Sequence, residues 1–417
     1  MGRWNAVAYT ALGLTSLLVV GAAGYGWTQL HRLTTGMSTA DVIEPAAKLP
    51  APTGRSAPVA EQNILLVGID SRTDAQGNPL PRALLDQLHA GGASDGGDTT
   101  DTMIVVHIPA GGGSATAISI PRDSYVEIAG GYGKHKINAA YSYGKQAALP
   151  KLSRQGVSGA ELELQADAAG ARTAIQTVEQ FTGLSINHYA EVNLAGFYDL
   201  SLAVGGVPVC LKAPVHDSYS NADFPAGPQL VSGAQALAFV RQRHGLTEGD
   251  LDRIARQQAF LSGMAKVVLG AGTLTSPSKL NALIDAIQQS VVIDKDWDIL
   301  SFAEQLQGLS SGALKFVTIP VQSLSLATPY DGDAVKVDPV QVRSFVDDVI
   351  NDLPAGATSS VTPSVTPTPT PTAKAATAVH KVAESSPVPT TDIADTTAGS
   401  APTTAGSAGD GTSGCVN

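Results

Sequence analysis

The stretch FVRQRHGLTEGDLDRIARQQ, residues 239–258, carries Arg241, Arg243, Arg253 and Arg256 in a chain whose formal net charge is -11. Guanidinium groups are planar, permanently charged forks that grip carboxylate or phosphate oxygens in pairs. Concentrated in an acidic chain, they point to a compact anion site; a nucleic-acid surface would need a broad basic face. Ser232-Gly-Ala-Gln235 has capping-box spacing and starts a helix that sends Ala236, Leu237 and Phe239 to the core. If the chain is extended before Gly245, Arg241 and Arg243 share a face, whereas a continuing helix would separate them by about 200°. Gly245 and Gly249 bracket a turn, which favours the extended form. Asp250 is a candidate N-cap for the next helix, with Leu251, Ile254 and Leu261 as its core stripe and Arg253 and Gln257 together on another face. Arginine near a helix N-terminus opposes the macrodipole unless an anion is present. The competing reading is a solvated helix balanced by Glu248, Asp250 and Asp252. His244, between the arginines, is assigned no role, and His244→Ala is expected to be mild.

A second charged set stands where strands end. Asn63–Ile69 is short and continuously apolar, as a strand covered on both faces requires, and it runs into Asp70-Ser71-Arg72. After a helix in PRALLDQLHAGG, residues 81–92, Asp101 opens a strand over Met103–Ile108. The Gly-rich link 109–114 makes the next strand, Thr116–Ile120, its antiparallel partner, and Arg122 and Asp123 follow at once. Antiparallel pairing of the first two strands brings Asp70, Arg72, Asp101 and Arg122 to one edge. Singly, each could be a turn residue or a surface ion-pair partner; four charges on the rim of an apolar sheet favour a site.

The elements that must hold these groups alternate. Residues 166–182 read as a helix with Ala174, Val178 and Phe181 on one face, and His188–Val192 as a strand. Asn193 is an N-cap for a helix over Leu194–Val204, stopped by Gly205-Gly206 before a strand at Val207–Leu211. This is an α/β layered pattern. The chain has 417 residues, 43% hydrophobic, enough for one large core plus appendages. Trp4–Leu30 is uncharged and long enough to cross a bilayer, with Arg3 favouring a cytoplasmic N-terminus; a cleaved signal peptide ending near Gly21-Ala22-Ala23 is the rival. Either way the body is exported. The organisation expected is anchor 1–32, linker 33–61, folded domain 62–353 and a disordered Thr/Pro/Ala-rich tail 354–417. Cys210 and Cys415 are expected to be joined, tethering that tail, although free thiols or a core Cys210 remain open. Gly308-Leu-Ser-Ser-Gly312 matches a serine-hydrolase string but lacks the strand-turn-helix context. No zinc set or P-loop occurs, and His107 reads as a core residue.

NILLVGIDSR, TTDTMIVVHIP, AISIPRDSYV, GKHKINAAYSYG, NLAGFYDLSLAVGGVPVCL and LVSGAQALAFVRQRHGLTEGDLDRIARQQAFL, in this order across about residues 62–270, resemble the LytR-CpsA-Psr family of bacterial envelope proteins. The resemblance implies an α/β/α sandwich with a central mixed sheet. It also implies a membrane-anchored phosphotransferase that moves a glycopolymer with its linking phosphate from a polyprenyl-pyrophosphate carrier to peptidoglycan, using Mg²⁺ or Mn²⁺. The implied metal carboxylates are Asp70 and Asp101; the implied pyrophosphate ligands are Arg122, Arg241, Arg243, Arg253 and Gln257, with Arg122, Arg241, Arg243 and Asp101 as the catalytic set. Many members carry an arginine where this chain has Thr99, so Arg72 joins the phosphate set as a replacement, with Arg256 as the other candidate. The expected location is the cell membrane, single-pass, with the catalytic domain extracellular. The implied acceptor nucleophile is the C6 hydroxyl of N-acetylmuramic acid. The Ala/Gly/Thr-rich composition suggests an actinobacterial source, hence arabinogalactan, teichoic-type or capsular polymers. A polyprenyl-pyrophosphate hydrolase and a non-catalytic envelope lipid-binding or regulatory protein are the alternatives.

Overall fold

In a computed structural model of the chain, the described residues are 28, 32–44, 61–92, 97–111, 114–242, 244–246, 249–269, 276–299, 302, 314–351 and 415–417. The apolar run at 4–30 lies outside them but for Thr28, as do the Gly308–Gly312 string and residues 354–414. Among the described residues, no helix is long and apolar enough to cross a membrane.

In chain order the strands are β1 (Ser38–Ala40), β2 (Gln62–Ile69), β3 (Thr100–Ile108), β4 (Ala115–Ser119), β5 (Tyr125–Ile128), β6 (Gly133–Lys136), β7 (His188–Asn193), β8 (Val207–Leu211), β9 (Val215–Asp217), β10 (Ala222–Phe224), β11 (Gly227–Val231), β12 (Val291–Asp294) and β13 (Leu314–Thr318). The helices are α1 (Arg82–Gln87), α2 (Ala139–Arg154), α3 (Gly159–Thr182), α4 (Leu194–Ala203), α5 (Gly233–Arg241), α6 (Asp250–Leu269), α7 (Pro277–Ser290) and α8 (Pro339–Ile350). A mixed sheet in the order β1-β12-β7-β2-β3-β4-β13 forms the middle layer. Strands β2, β3 and β4 run antiparallel in turn, and β7 lies parallel to β2, so the hairpin and edge expected from the sequence are present.

Alternation along the central strands divides their side chains between two faces. Leu65, Val67, Met103, Val105 and Ile118 pack on one side against Ala174, Val178 and Phe181 of α3 and Val342 and Val346 of α8. Leu66, Ile104, Ala190 and Val192 line the other side, opposite residues of α4, α5 and α6. Strand β8 is not part of this sheet; it pairs with β11 in a ribbon of its own.

Both expected domain limits need correction. Ser38–Ala40, placed in the linker by sequence, pairs with β12, and Val42 and Ile43 are 2% and 5% exposed. An apolar pair just beyond a short strand completes the sheet edge and its core at once. At the other end Cys415–Asn417 leaves the expected tail and joins the fold: Cys210 and Cys415 form a disulfide, and Val416 bridges Leu211 in parallel. These residues belong to the same compact unit as the chain up to Ala355.

Candidate active site

The β2–β3 register places Gly68 opposite Thr102 and then Ile69 opposite Thr100, leaving Asp101 as an inserted residue. Such a bulge re-aims a side chain and ends regular pairing. It puts Asp101 on the edge where Asp70 leaves β2, and the Asp70 N–H donates to the Thr99 carbonyl at 3.0 Å. Arg122, in the turn after β4, donates to Asp101; Arg72 donates to Asp70. All four edge charges therefore converge as two ion pairs.

Above them lies a cavity of about 530 Å³ between the sheet and helices α4, α5 and α6. Its bore is apolar, with Leu66, Ile104, Ala190 and Val192 below and Phe197, Leu200, Leu237, Val240, Phe260, Leu261 and Met264 around it. Its polar wall contains Asp70, Asp101, Arg122, Arg241, Arg253 and Gln257. Six of the sequence-selected residues are thus brought together. Arg243 lies outside the described residues.

Two other arginines are placed differently. Arg72 is 8% exposed and stands behind Asp70 without lining the cavity. Arg256, the other candidate replacement for the arginine missing at Thr99, is fully buried and donates to Gln242 Oε1 and to the Asn417 carbonyl. Burial pulls its pKa down to about 10, against Asp252 and Asp217. It braces the two arginine segments and has no path to a ligand. Thr99 itself lines the cavity.

The helix ends are also corrected. Ser232 makes no side-chain capping bond; the Gly233 N–H instead donates to Ser201 Oγ at 2.7 Å. Helix α5 includes Arg241, and extension begins one residue later, at Gln242 with φ -57° and ψ 136°. Asp250 is the first residue of α6, where it pairs with Arg253. The most buried core residues of that helix are Ile254 and Phe260, while Leu251 and Leu261 are only partly covered, and Leu261 lines the cavity.

The electrostatics favour an added anion. Burial lowers the Arg253 pKa and nearby Arg122 lowers it further, with Asp250 offsetting only part; burial in turn raises Asp250 above its ordinary value. Both partners are thus held less comfortably than in water, and Arg253 Nε, in a residue 2% exposed, has no hydrogen-bond partner. A phosphate oxygen at the cavity wall would supply the missing charge and acceptor. At Arg122 burial also lowers the pKa, but Asp101 and Asp123 outweigh it and hold it above the usual value.

Asp70 and Asp101 fit a hard divalent cation. Their side chains keep 20% and 33% exposure beside the arginines, and Mg²⁺ typically takes one or two carboxylates plus phosphate oxygens and water. A second acidic group, Asp98, Glu163 and Asp167, brings oxygens within 4.8 Å of one another, close enough to hold a metal ion. The Lys145 ammonium already sits among them, 3.0, 2.5 and 2.8 Å away, so a cation there would have to displace it. The sequence carried no signal for this cluster, whose carboxylates come from a loop and α3 and whose lysine comes from α2.

The LytR_cpsA_psr family matches residues 31–343. The cell wall biosynthesis protein LcpA of Corynebacterium glutamicum is 48% identical over 291 residues, 70% of this chain and 56% of that protein. The chain thus spans little more than half the length of that relative. The polyisoprenyl-teichoic acid–peptidoglycan teichoic acid transferase TagU of Bacillus anthracis is 27% identical, over 68% of this chain and 78% of its own. Among solved structures, protein gbs0355 from Streptococcus agalactiae shares the fold at a TM-score of 0.50 and 19% identity, covering 70% of this chain and 88% of that one.

Proposed function

The chain belongs to the LytR_cpsA_psr family, and from that premise we propose that it is a glycopolymer–peptidoglycan phosphotransferase acting on a polyprenyl-pyrophosphate donor. One observation carries the reading: a single cavity joins an apolar bore to a wall of Arg122, Arg241, Arg253 and Gln257, with Asp70 and Asp101 on the same rim. An apolar chain and a pyrophosphate head are the two halves of such a lipid. The bore takes the prenyl chain by hydrophobic burial. Arg122, Arg241 and Arg253 hold the phosphates and neutralise charge as the polyprenyl phosphate departs, which is most of what a protein contributes to phosphoryl transfer. Asp70 and Asp101 would hold Mg²⁺ or Mn²⁺, which when bound supplies further neutralisation of phosphate charge. Arg243 is assigned to the same clamp from sequence.

The relative named a teichoic acid transferase and the relative named for cell wall biosynthesis support a cell-wall glycopolymer as cargo and peptidoglycan as acceptor. Location at the outer face of the cytoplasmic membrane is part of the proposal. It is supported by the uncharged run Trp4–Leu30 and by the disulfide, which belongs in an oxidising compartment.

The test is transfer from a polyprenyl-pyrophosphate glycan to peptidoglycan fragments, with free phosphate followed in parallel. Arg241→Lys keeps the charge but loses the fork and is expected to lower transfer on the order of 10²-fold. Phosphate release without joined product would mark a hydrolase. Binding with neither would mark a lipid carrier.

A further inference from the structure

The β9–β10 hairpin brings Asp217, Tyr219 and Ser220 to the cavity mouth beside His244 and Arg241. The Asp217 side chain is 1% exposed and accepts from the Tyr219 N–H at 2.9 Å and the Ser220 hydroxyl at 2.7 Å. Burial pushes its pKa up, but these hydrogen bonds and neighbouring His244 outweigh that and hold it below the ordinary value. It is therefore a fixed, buried anion. Its Oδ1 lies 3.7 Å from Nδ1 of His244, whose ring stacks on Tyr219 with centroids 4.2 Å apart. The imidazole is 61% exposed and lines the cavity.

A carboxylate behind one nitrogen of an imidazole orients the ring and stabilises its protonated form. The geometry points to His244, oriented by Asp217, as the general base that takes the proton from the acceptor hydroxyl; this rests on the transfer reading above. As the hydroxyl oxygen bonds to the phosphorus next to the glycan, its proton passes to Nε2 of His244. The bond from that phosphorus to the bridging oxygen breaks, and polyprenyl phosphate leaves with the electron pair. Other groups at the mouth are less suited. His89 Nε2 faces the Asn221 amide at 3.1 Å, and no carboxylate among the described residues is paired with it. Asp70 and Asp101 each accept from an arginine and are assigned to the cation in the proposed function. Arg241, Tyr219 and His89 also line this cavity, as do Asp70, Asp101, Arg122 and Arg253.

The sequence assigns His244 no role because its partners arrive from a distant hairpin. The experiment is a pH profile of initial transfer rate at saturating donor and acceptor, with donor affinity measured separately. The wild type is expected to lose rate on the acid side, where a general base is protonated. His244→Asn is expected to lower the rate on the order of 10²- to 10⁴-fold and to abolish that limb, with donor affinity kept. Asp217→Asn, a positioning variant, should move the limb to lower pH, and added imidazole should restore part of the rate of His244→Ala. Retention of the wild-type rate and limb in His244→Asn overturns the inference, as does a loss of rate that only follows lost donor binding. A wild type that binds donor but forms no joined product overturns the transfer reading instead, and this inference with it.

Discussion

Arg253 and Asp101 are the single residues on which the proposed function can be tested at this wall. Arg253 is buried with a pKa pulled down by burial and by Arg122, so replacing it with lysine leaves a charge that cannot spread over two donors. Asp101 stands on a bulge with Arg122 bound to it; Asp101→Asn should lower transfer on the order of 10²-fold and weaken the response to divalent cations, read by titrating Mg²⁺ against rate. On the opposite sheet face, burial and nearby Asp167 push Glu191 up to about 7, against the Tyr189 hydroxyl that donates to it at 2.6 Å. A raised folded pKa means the folded state holds the proton more tightly. Stability from Glu191 is therefore full below its ordinary 4.5 and is lost as pH rises through about 7. Glu191→Gln should flatten that window, with a difference of up to roughly 3 kcal/mol in denaturant melts across it. Parallel curves for the two proteins would show that Glu191 is ordinary. Asp70, Asp101, Arg122 and Arg253 were legible in the sequence because strand ends and helix spacing fix their side. Lys145, His244 and Asp217 were not, because their partners are set by packing between distant segments.

At the scale of elements, α6 is the piece that must be held. Gly263 lets it approach β8 so closely that a Cβ there would stand 2.5 Å from the Pro208 carbonyl oxygen. Next to Pro208 on that ribbon, Cys210 is bonded to Cys415, and Asn417 donates to Asp252 at 3.1 Å while its carbonyl accepts from Arg256. Arg256 in turn grips Gln242, the residue after Arg241, and lies 5.3 Å from the centre of the Phe239 ring. The last residues thus clasp the helix that carries Arg253 and Gln257 to the segment that carries Arg241. Cys415→Ser should lower the melting temperature, since a disulfide closing 205 residues can contribute up to roughly 5 kcal/mol in the entropy model, and reduction of the wild type should reproduce the shift. An unchanged melting temperature in both would remove the clasp from the stability argument. The presence of α5 and α6 was readable from helical spacing. The disulfide was expected from the sequence, but the rest of the clasp was not, because Arg256 meets a residue 161 positions away.

For the molecule as a whole, the central sheet separates two environments. One face is packed by α3 and α8 over β2–β4, with Glu191, Tyr189 and a cavity of about 570 Å³ on its β7 side, and the other stays open as a bore whose floor includes Ala190, a small, half-buried residue on β7. That asymmetry lets the sheet both anchor Asp70 and Asp101 at its edge and leave an apolar space above, which the proposed function gives to a lipid chain. In the proposed function it also separates the two halves of donor recognition, so they can be perturbed independently. Ala190→Phe should project into the bore and fill it without crowding the packed face, so folding should be kept or slightly strengthened. The affinity for a long-chain polyprenyl pyrophosphate should fall on the order of tenfold, as expected when an apolar chain loses a share of its buried area. Inorganic pyrophosphate, held by Arg122, Arg241 and Arg253 alone, should bind as before. Equal weakening of both ligands would mean that the substitution reaches the arginines. Unchanged long-chain binding would mean that the prenyl chain lies elsewhere, and the bore would lose its place in the proposed function.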